Sequence, residues 1–142
     1  MNTEKPRIKV VLDSNIIISA LVFGGKPRII LEKIIFGKIE GIISTDILNE
    51  LLGVLKDKFK YIPEELLKIK NLISNRFITI KTNYIPNIIK EDPDDNFVLA
   101  ICHKADINCV VSGDRHLLDV REYKGIKIIK PDTFLKEYLN LI

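Results

Sequence analysis

With 142 residues, 46% of them hydrophobic and 29% charged, the chain has the size and composition of a single globular domain, which we predict over residues 1–142. The formal net charge of +3 permits a nucleic-acid partner but lacks the strong basic excess that would indicate one. Two cysteines and two histidines exclude a disulfide framework and a zinc site of regular spacing, and no apolar run approaches the roughly 20 residues that cross a bilayer.

Short apolar runs and helical patterns alternate along the whole chain. The apolar runs predict five strands, over residues 8–12, 41–44, 76–81, 108–111 and 126–129. Polar caps and prolines between them predict helices over residues 14–22, 27–36, 44–56, from 63 onward, 94–105, 114–121 and from 131 onward. This alternation predicts an α/β fold, an open and mostly parallel sheet with helices on both faces.

Four carboxylates lie at the ends or edges of these elements, namely Asp13, Glu50, Asp95 and Asp114. Asp13 follows the first strand directly, and Asp114 follows the fourth strand soon after Ser112. Ligands of open parallel sheets gather outside the carboxyl ends of the strands. We therefore expect Asp13 and Asp114 to lie side by side if the first and fourth strands are neighbours.

Asp95 and Glu50 occupy unusual places on their predicted helices. Asp95 shares its helix stripe with Val98, Leu99 and Cys102, which makes that stripe the one facing the core. A carboxylate there is costly to bury without a partner, so we expect it at the rim, pointing toward the strand ends. Glu50 lies mid-helix at the edge of an apolar face, from which its long side chain can reach outward.

Each acid taken alone has an ordinary structural explanation. Asp13 fits a helix cap, Asp114 a turn residue and Glu50 a solvated surface residue. Four acids that converge would instead repel one another unless a divalent cation lay among them. We predict Asp13, Asp95 and Asp114 as metal ligands, with Glu50 as a further ligand or as a base that positions water.

Polar neighbours of the acids complete the predicted site. Ser112 is expected to hydrogen-bond a ligating carboxylate or hold a water, and Asn15 to brace the loop after the first strand. Arg115 and His116 are close enough in sequence to contact a phosphate, although a surface role is the simpler interpretation. Asp92 and Asp94 fit helix caps and first-turn acids beside a proline.

Five segments come in a characteristic order and spacing: Leu12-Asp-Ser-Asn, Glu50 in a leucine-rich helix, Asp92-Pro-Asp-Asp-Asn-Phe-Val-Leu-Ala, Ser112-Gly-Asp-Arg-His-Leu-Leu and Lys130-Pro-Asp-Thr-Phe-Leu. Over nearly the whole chain, this ordered set resembles the PIN domain family. The likeness is greatest to the compact prokaryotic, VapC-like members described as toxin components of toxin–antitoxin pairs.

The resemblance implies a Rossmann-like α/β/α sandwich, a frequent homodimer, and a ribonuclease that depends on Mg²⁺ or Mn²⁺. It also implies that Asp13, Glu50, Asp95 and Asp114 form the acidic site. The chain departs from the family at His116, where many members have another acid. Asp119 replaces that acid only if the short helix turns it inward.

The leading hypothesis is an endoribonuclease that hydrolyses RNA phosphodiester bonds with Mg²⁺ or Mn²⁺ and leaves a 5′-phosphate and a 3′-hydroxyl. As the toxin of a toxin–antitoxin pair, it would have an antitoxin protein as partner. The densest basic cluster, in Lys56-Asp-Lys-Phe-Lys-Tyr and at Lys68 and Lys70, is predicted to line an RNA groove shared by two protomers. Phe59 and Tyr61 offer faces for base stacking there.

Two alternatives use the same sequence features. A non-catalytic PIN-fold module that binds RNA or a protein would keep the acids without cleaving. A phosphoacceptor receiver domain would explain the Lys130-Pro131 pair after the fifth strand, but it needs an aspartate after the third. That strand ends in Thr79-Ile-Lys-Thr, so this alternative is disfavoured.

The predicted location of the protein is the cytoplasm. The beginning of the chain is charged and runs directly into a strand, without a signal-peptide pattern. Cys102 and Cys109 lie in apolar sequence, so we expect two buried free thiols. Thiols that stay reduced fit a reducing compartment, and we expect no association with a membrane.

Overall fold

The computed structural model describes residues 6–141, which form a six-stranded sheet and the helices packed on it. The strands are β1 (Lys9–Leu12), β2 (Glu40–Ser44), β3 (Ile78–Ile80), β4 (Cys109–Val111), β5 (Glu122–Tyr123) and β6 (Ile126–Ile129). The helices are α1 (Ser14–Val22), α2 (Gly25–Ile35), α3 (Thr45–Asp57), α4 (Pro63–Arg76), α5 (Asn96–Ile101), α6 (Arg115–Val120) and α7 (Pro131–Leu139). One turn of 3-10 helix, Pro93–Asp95, precedes α5.

The sheet has the strand order β3-β2-β1-β4-β6-β5, and each neighbouring pair is parallel except β5 with β6. β1 lies near the centre, where Val11 pairs with Ile42 of β2 on one side and with Val110 of β4 on the other. The strand order changes direction at β1, which opens a crevice at the carboxyl ends of β1 and β4. The predicted α/β/α sandwich with a mostly parallel sheet is confirmed.

The middle of the sheet is the core of the protein. Val10, Val11 and Leu12 are completely buried, because helices cover a parallel sheet on both faces. Cys102 and Cys109 are buried free cysteines, as predicted. Burial raises the pKa of the Cys102 thiol to about 11 and that of Cys109 to about 12, so both stay protonated near neutral pH.

The sequence prediction missed β5, which is the antiparallel edge strand. Glu122 pairs with Lys127 and Tyr123 with Ile126, across a hairpin whose two turn residues both have positive φ. These are Lys124 at 52° and Gly125 at 78°. Two residues are too few to show a period in the sequence, and the lysine in the turn hides the hairpin signal.

Two predicted boundaries shift for identifiable reasons. The helix expected over residues 94–105 is divided, because Asp95 N–H donates to the carbonyl of Asp92 at 3.1 Å and closes a tight turn before α5. The helix ends at Ile101, where the N–H of Cys102 again bonds three residues back, to Leu99. The strand expected to begin at residue 76 begins at Ile78, since α4 extends through Arg76.

The helices are short relative to a bilayer. The longest, α4, has 14 residues. Within residues 6–141 no single helix has the length and apolar composition to cross a membrane. Helices α1 and α2 meet these criteria only as a pair, and the chain bends by 100° between them.

Candidate metal centre at the carboxyl edge of the sheet

Asp13 and Asp114 come to the same edge of the sheet because their strands are neighbours. β1 and β4 are parallel, with Leu12 in register with Val111, so both strands point toward this edge. The N–H of Asp13 continues the ladder by donating to the carbonyl of Val111 at 3.2 Å. The first and fourth strands are therefore neighbours, which is the condition under which Asp13 and Asp114 were expected to lie side by side.

Asp13 is an acid held inside the protein, with 4% of its surface exposed. It caps α1, since its Oδ1 accepts from the N–H of Ile16 at 2.9 Å. Its Oδ2 accepts from the Ser112 hydroxyl. Burial raises the pKa of Asp13 to about 6; these hydrogen bonds oppose the rise, and the charge of Asp114 adds to it.

Ser112 joins two of the acids through one hydroxyl group. The side chain is completely buried, donates to Asp13 and accepts the backbone N–H of Asp114 at 2.9 Å. Ser112 therefore holds the end of β4 and the start of α6 in one arrangement relative to β1. This is the kind of support that orients ligands in metal sites.

Asp114 and Asp95 bring two carboxylates face to face. Asp114 caps α6 by accepting the N–H groups of His116 at 2.8 Å and Leu117 at 3.2 Å. One potential ligand atom from each of Asp95, Asp114 and His116 lies within 4.8 Å of the other two. Burial and the charge of Asp114 raise the pKa of Asp95 to about 8, so the pair retains a proton near neutral pH.

Glu50 joins the acids from α3. The hydroxyl of Ser14 donates to its Oε1, although the two residues lie 36 positions apart. Burial raises the pKa of Glu50, and the charges of Asp94, Asp92 and Asp13 add to this rise. Glu50 is thus not the solvated surface glutamate of the simplest interpretation.

A protein-family model described as a PIN domain matches residues 9–116, which include all four acids and their supports. The chain belongs to the PIN domain family. An uncharacterized protein of Methanocaldococcus jannaschii, MJ1680, is 31% identical over 152 aligned residues. That alignment covers 98% of this chain and 97% of the relative.

Solved structures share the PIN fold at low sequence identity. PAE2754 from Pyrobaculum aerophilum superposes with a TM-score of 0.62 at 14% identity, over 94% of this chain and 90% of the other. VapBC2 from Rickettsia felis, bound to a DNA fragment from its promoter, gives 0.57 at 17%, over 87% and 98%. The PIN domain endonuclease Utp24 gives 0.52 at 20%, over 89% and 86%. At these identities the comparisons show a shared fold and nothing further.

The structure shows where three further candidate residues of this PIN domain lie relative to that group. Asp13 is near the Asp95–Asp114–His116 group but outside it, with both carboxylate oxygens hydrogen-bonded within the protein. The side chain of Asn15 is exposed, and its backbone N–H faces Asp13. Asp119 does not turn inward to replace the missing acid.

The exposed face of α6 accounts for Asp119. Its side chain is 70% exposed and lies 3.9 Å from that of Arg115, one turn earlier on the same helix. Arg115 is 90% exposed, and its ion-pair partner is Asp119. The group that takes the place of the absent acid is the imidazole of His116.

Sequence reasoning missed two supporting residues, Ser14 and Asn96. Ser14 is buried and orients Glu50, a contact that no local pattern shows. Asn96 is 2% exposed and anchors the loop before Asp95. Its Oδ1 accepts from Ile89 N–H at 2.9 Å, and its Nδ2 donates to the Ile89 carbonyl at 2.7 Å. An asparagine directly after Asp94 and Asp95, at the start of an apolar helix, was the available signal.

The site residues fit a divalent cation. In the described part of the chain, Glu50 Oε2 and Asp95 Oδ2 are buried side-chain oxygens without a hydrogen-bond partner. No lysine or arginine among residues 6–141 forms an ion pair with Asp13, Glu50, Asp95 or Asp114. Buried carboxylate oxygens without compensating charge are the ligands that hard cations such as Mg²⁺ and Mn²⁺ prefer.

Proposed function

We propose that this PIN protein is an endoribonuclease that hydrolyses RNA phosphodiester bonds and requires Mg²⁺ or Mn²⁺. The observation that carries the proposal is the partly buried carboxyl group of Asp95, which lies opposite Asp114 at the carboxyl edge of the sheet and has one buried oxygen, Oδ2, without a hydrogen-bond partner. Such a pair is unfavourable in the empty protein and becomes favourable with a cation between its oxygens.

Asp95 and Asp114 would hold the cation, and Asp13, whose charge acts on both of them, would join them. When bound, a divalent cation acidifies a water ligand and neutralises charge that develops on the phosphate. Ser112 keeps Asp13 and Asp114 in place through its two hydrogen bonds. Glu50, oriented by Ser14 at one oxygen, has its second oxygen free to accept a proton from the attacking water. The expected products carry a 5′-phosphate and a 3′-hydroxyl.

The comparisons support a role in a toxin–antitoxin pair. The structural neighbour VapBC2 is a complex bound to promoter DNA, and Utp24 is described as an endonuclease. By this analogy of fold we infer a cytoplasmic toxin, a homodimer, and an antitoxin protein as its partner.

The strand β6 and the helix α7 follow the residues that the family model matches. β6 pairs with β4, and α7 packs on α2. This supports one PIN-like domain over residues 1–142.

The RNA is proposed to approach along α3, which carries Glu50 in its middle and Lys56 in its last turn. At about 1.5 Å per residue, these two positions lie roughly 9 Å apart along the helix axis. Lys56, Lys58 and Lys60 are exposed, as phosphate contacts require. Phe59 packs edge-on against Phe23 at 6.1 Å between ring centroids, which restricts the face that it offers to a base.

Cleavage of a labelled single-stranded RNA by the purified protein tests the proposal. We expect cleavage in Mn²⁺ or Mg²⁺, none in EDTA, and loss of cleavage in Asp95→Asn and Asp114→Asn. Asp119→Asn is the matched control, because Asp119 belongs to α6, the helix that Asp114 caps, and its side chain is exposed to solvent. End-group analysis should find a 5′-phosphate.

Two results would contradict the proposal. Cleavage that persists in EDTA or in Asp95→Asn would remove the acidic centre from the mechanism. Metal-independent RNA binding without cleavage would favour the alternative, a non-catalytic PIN-fold module that binds RNA or a protein.

A further inference from the structure

We propose that His116 is a ligand of the divalent cation in this centre and that its imidazole makes the site prefer Mn²⁺ to Mg²⁺. This inference rests on the metal site of the proposed function and specifies its selectivity. It concerns a residue that was expected to be either a surface group or a phosphate contact.

The geometry places the His116 ring at the two facing carboxylates. One ring nitrogen and one oxygen from each of Asp95 and Asp114 lie within 4.8 Å of one another. Three ligands that surround a cation evenly at about 2.0–2.2 Å lie at most roughly 3.8 Å from one another. The three groups therefore each need to move inward by at most about 0.6 Å to enclose one ion.

The backbone at the start of α6 maintains this placement. The N–H of His116 donates to Asp114 Oδ1 at 2.8 Å, so the residue is tied to the carboxylate beside which its ring lies. The ring Nδ1 is 3.8 Å from that same oxygen, which is too far for a hydrogen bond. The ring also has 43% of its side-chain surface exposed, so it can turn toward an ion without disturbing the core.

The His116 ring has no competing role in the described part of the chain. Among residues 6–141, no side chain or backbone group forms a hydrogen bond with the ring. Arg115, the nearest cationic side chain in sequence, lies 3.9 Å from Asp119 instead of facing the two acids. A cation is therefore the partner that this arrangement of one imidazole and two carboxylates lacks.

The ligand chemistry decides the metal preference. Mg²⁺ binds oxygen ligands, keeps several waters and gains little from a nitrogen donor. Imidazole nitrogen binds most strongly to Fe²⁺, Ni²⁺, Cu²⁺ and Zn²⁺, and Mn²⁺ is at the weak end of this first-row order. Of the two cations of the proposed function, Mn²⁺ is the one with transition-metal character and gains more than Mg²⁺ from a nitrogen ligand. An all-carboxylate set at this place would treat Mg²⁺ and Mn²⁺ more equally than a set with His116.

Electron spin-echo envelope modulation of the Mn²⁺-loaded protein tests the contact directly, because a bound imidazole nitrogen modulates the Mn²⁺ signal. We expect the modulation in the wild type and its loss in His116→Ala. The chain contains two histidines, so His103→Ala is the matched control and should keep the modulation. His103 follows α5 at the end opposite Asp95, and its Nε2 lies 2.6 Å from the Tyr123 hydroxyl.

Isothermal titration calorimetry with Mn²⁺ and Mg²⁺ separately tests the preference without any substrate. His116→Ala should weaken Mn²⁺ binding by about 10–100-fold, as the loss of metal-site groups commonly does, and leave Mg²⁺ binding nearly unchanged. His116→Asp should strengthen Mg²⁺ binding and reduce the ratio of the two affinities. Thermal melting of each variant without metal checks that it remains folded.

The outcomes distinguish this inference from the proposed function. Tight Mn²⁺ binding without nitrogen modulation, equal in wild type and His116→Ala, would overturn the role of His116 and leave the carboxylate site standing. Absence of any Mn²⁺ or Mg²⁺ binding by the wild type would overturn both.

Discussion

The acids of this PIN domain differ from one another in what holds each of them. Asp13 has both oxygens hydrogen-bonded, Asp114 caps a helix, and Glu50 has one oxygen bound to Ser14. Glu50 and Asp95 each have a second oxygen that is buried without a partner. At Asp95, burial and the charge of Asp114 together raise the pKa to about 8, so this carboxyl group carries a cost in the metal-free protein.

The pH dependence of stability should report this cost. Asp95 has its pKa raised from 3.8 to about 8, so the metal-free folded state holds a proton that the unfolded state releases above about pH 4. The stabilising contribution of this proton is complete below pH 4 and is lost as the pH rises to about 8. Asp95→Asn should therefore flatten the fall in stability between pH 4 and 8.

Urea unfolding in EDTA, measured for wild type and Asp95→Asn across this pH range, gives the contribution of Asp95 together with its effect on the neighbouring acids Asp13 and Asp114. Asp119→Asn, which removes an exposed acid, serves as the control and should keep the wild-type slope. Parallel curves for wild type and Asp95→Asn would show that Asp95 ionises normally in the folded state.

Ser14→Ala tests whether the orientation of Glu50 matters for cleavage. The substitution removes the donor to Glu50 Oε1 and leaves α1 otherwise intact, so cleavage should fall by about 10–100-fold without loss of fold. Ser19→Ala, on the same helix but not in contact with the acids, should cleave at the wild-type rate. Equal rates for Ser14→Ala and wild type would remove the Ser14 contact from the mechanism.

At the scale of the elements, a parallel sheet places the site, and close packing against that sheet limits what the strands tolerate. A Cβ built on Gly41 in β2 would lie 2.6 Å from Cε2 of Phe77 and 2.8 Å from Cδ1 of Ile34. A Cβ on Gly53 in α3 would meet nothing within 4 Å. Close packing thus requires a glycine at position 41, whereas packing does not require one at position 53.

Alanine at these two positions should change stability in opposite directions. Gly41→Ala should lower the free energy of unfolding by about 1–3 kcal/mol, because Phe77 must shift in a packed core. Gly53→Ala should raise it by about 0.5–1 kcal/mol, because alanine favours an exposed helix interior. Urea denaturation of both variants measures the two effects. Destabilisation by Gly53→Ala would show that the added methyl group meets other atoms at α3 in solution.

At the scale of the whole molecule, the charges are separated. Acids occupy the carboxyl edge of the sheet, whereas the end of α3 carries exposed lysines, so the modest net charge of +3 includes a local basic region. An RNA backbone needs such a region, because an acidic centre alone repels phosphate. The proposed homodimer would place two acidic sites and two basic regions along one groove.

Two measurements test this arrangement. Sedimentation of the free protein should show a dimer at tens of micromolar, and a monomer would contradict the shared groove. Lys58→Ala/Lys60→Ala should weaken RNA binding, measured in Ca²⁺ to prevent cleavage, and reduce the salt slope by roughly 0.7 per lysine. Lys104→Ala/Lys136→Ala removes two exposed lysines from other elements and should leave both affinity and slope unchanged.

The sequence by itself determined the alternation of elements, the buried central strands and the positions of the acids relative to them. These features depend on local patterns, such as the apolar runs of β1 and β4 and the caps at Asp13 and Ser44. Because a strand and its carboxyl end are read from the same few residues, the edge at which Asp13 and Asp114 emerge was predictable from those residues.

Only the tertiary structure decided which groups touch. Ser14 meets Glu50 across 36 residues, and Ser112 meets Asp13 across 99, through contacts that depend on how α1, α3 and the strands pack. The same packing set Asp95 against Asp114 and His116 and left both oxygens of Asp13 bound within the protein. A local pattern specifies the direction of a side chain along its own element, whereas a contact needs the relative position of two elements, which the packed core alone determines.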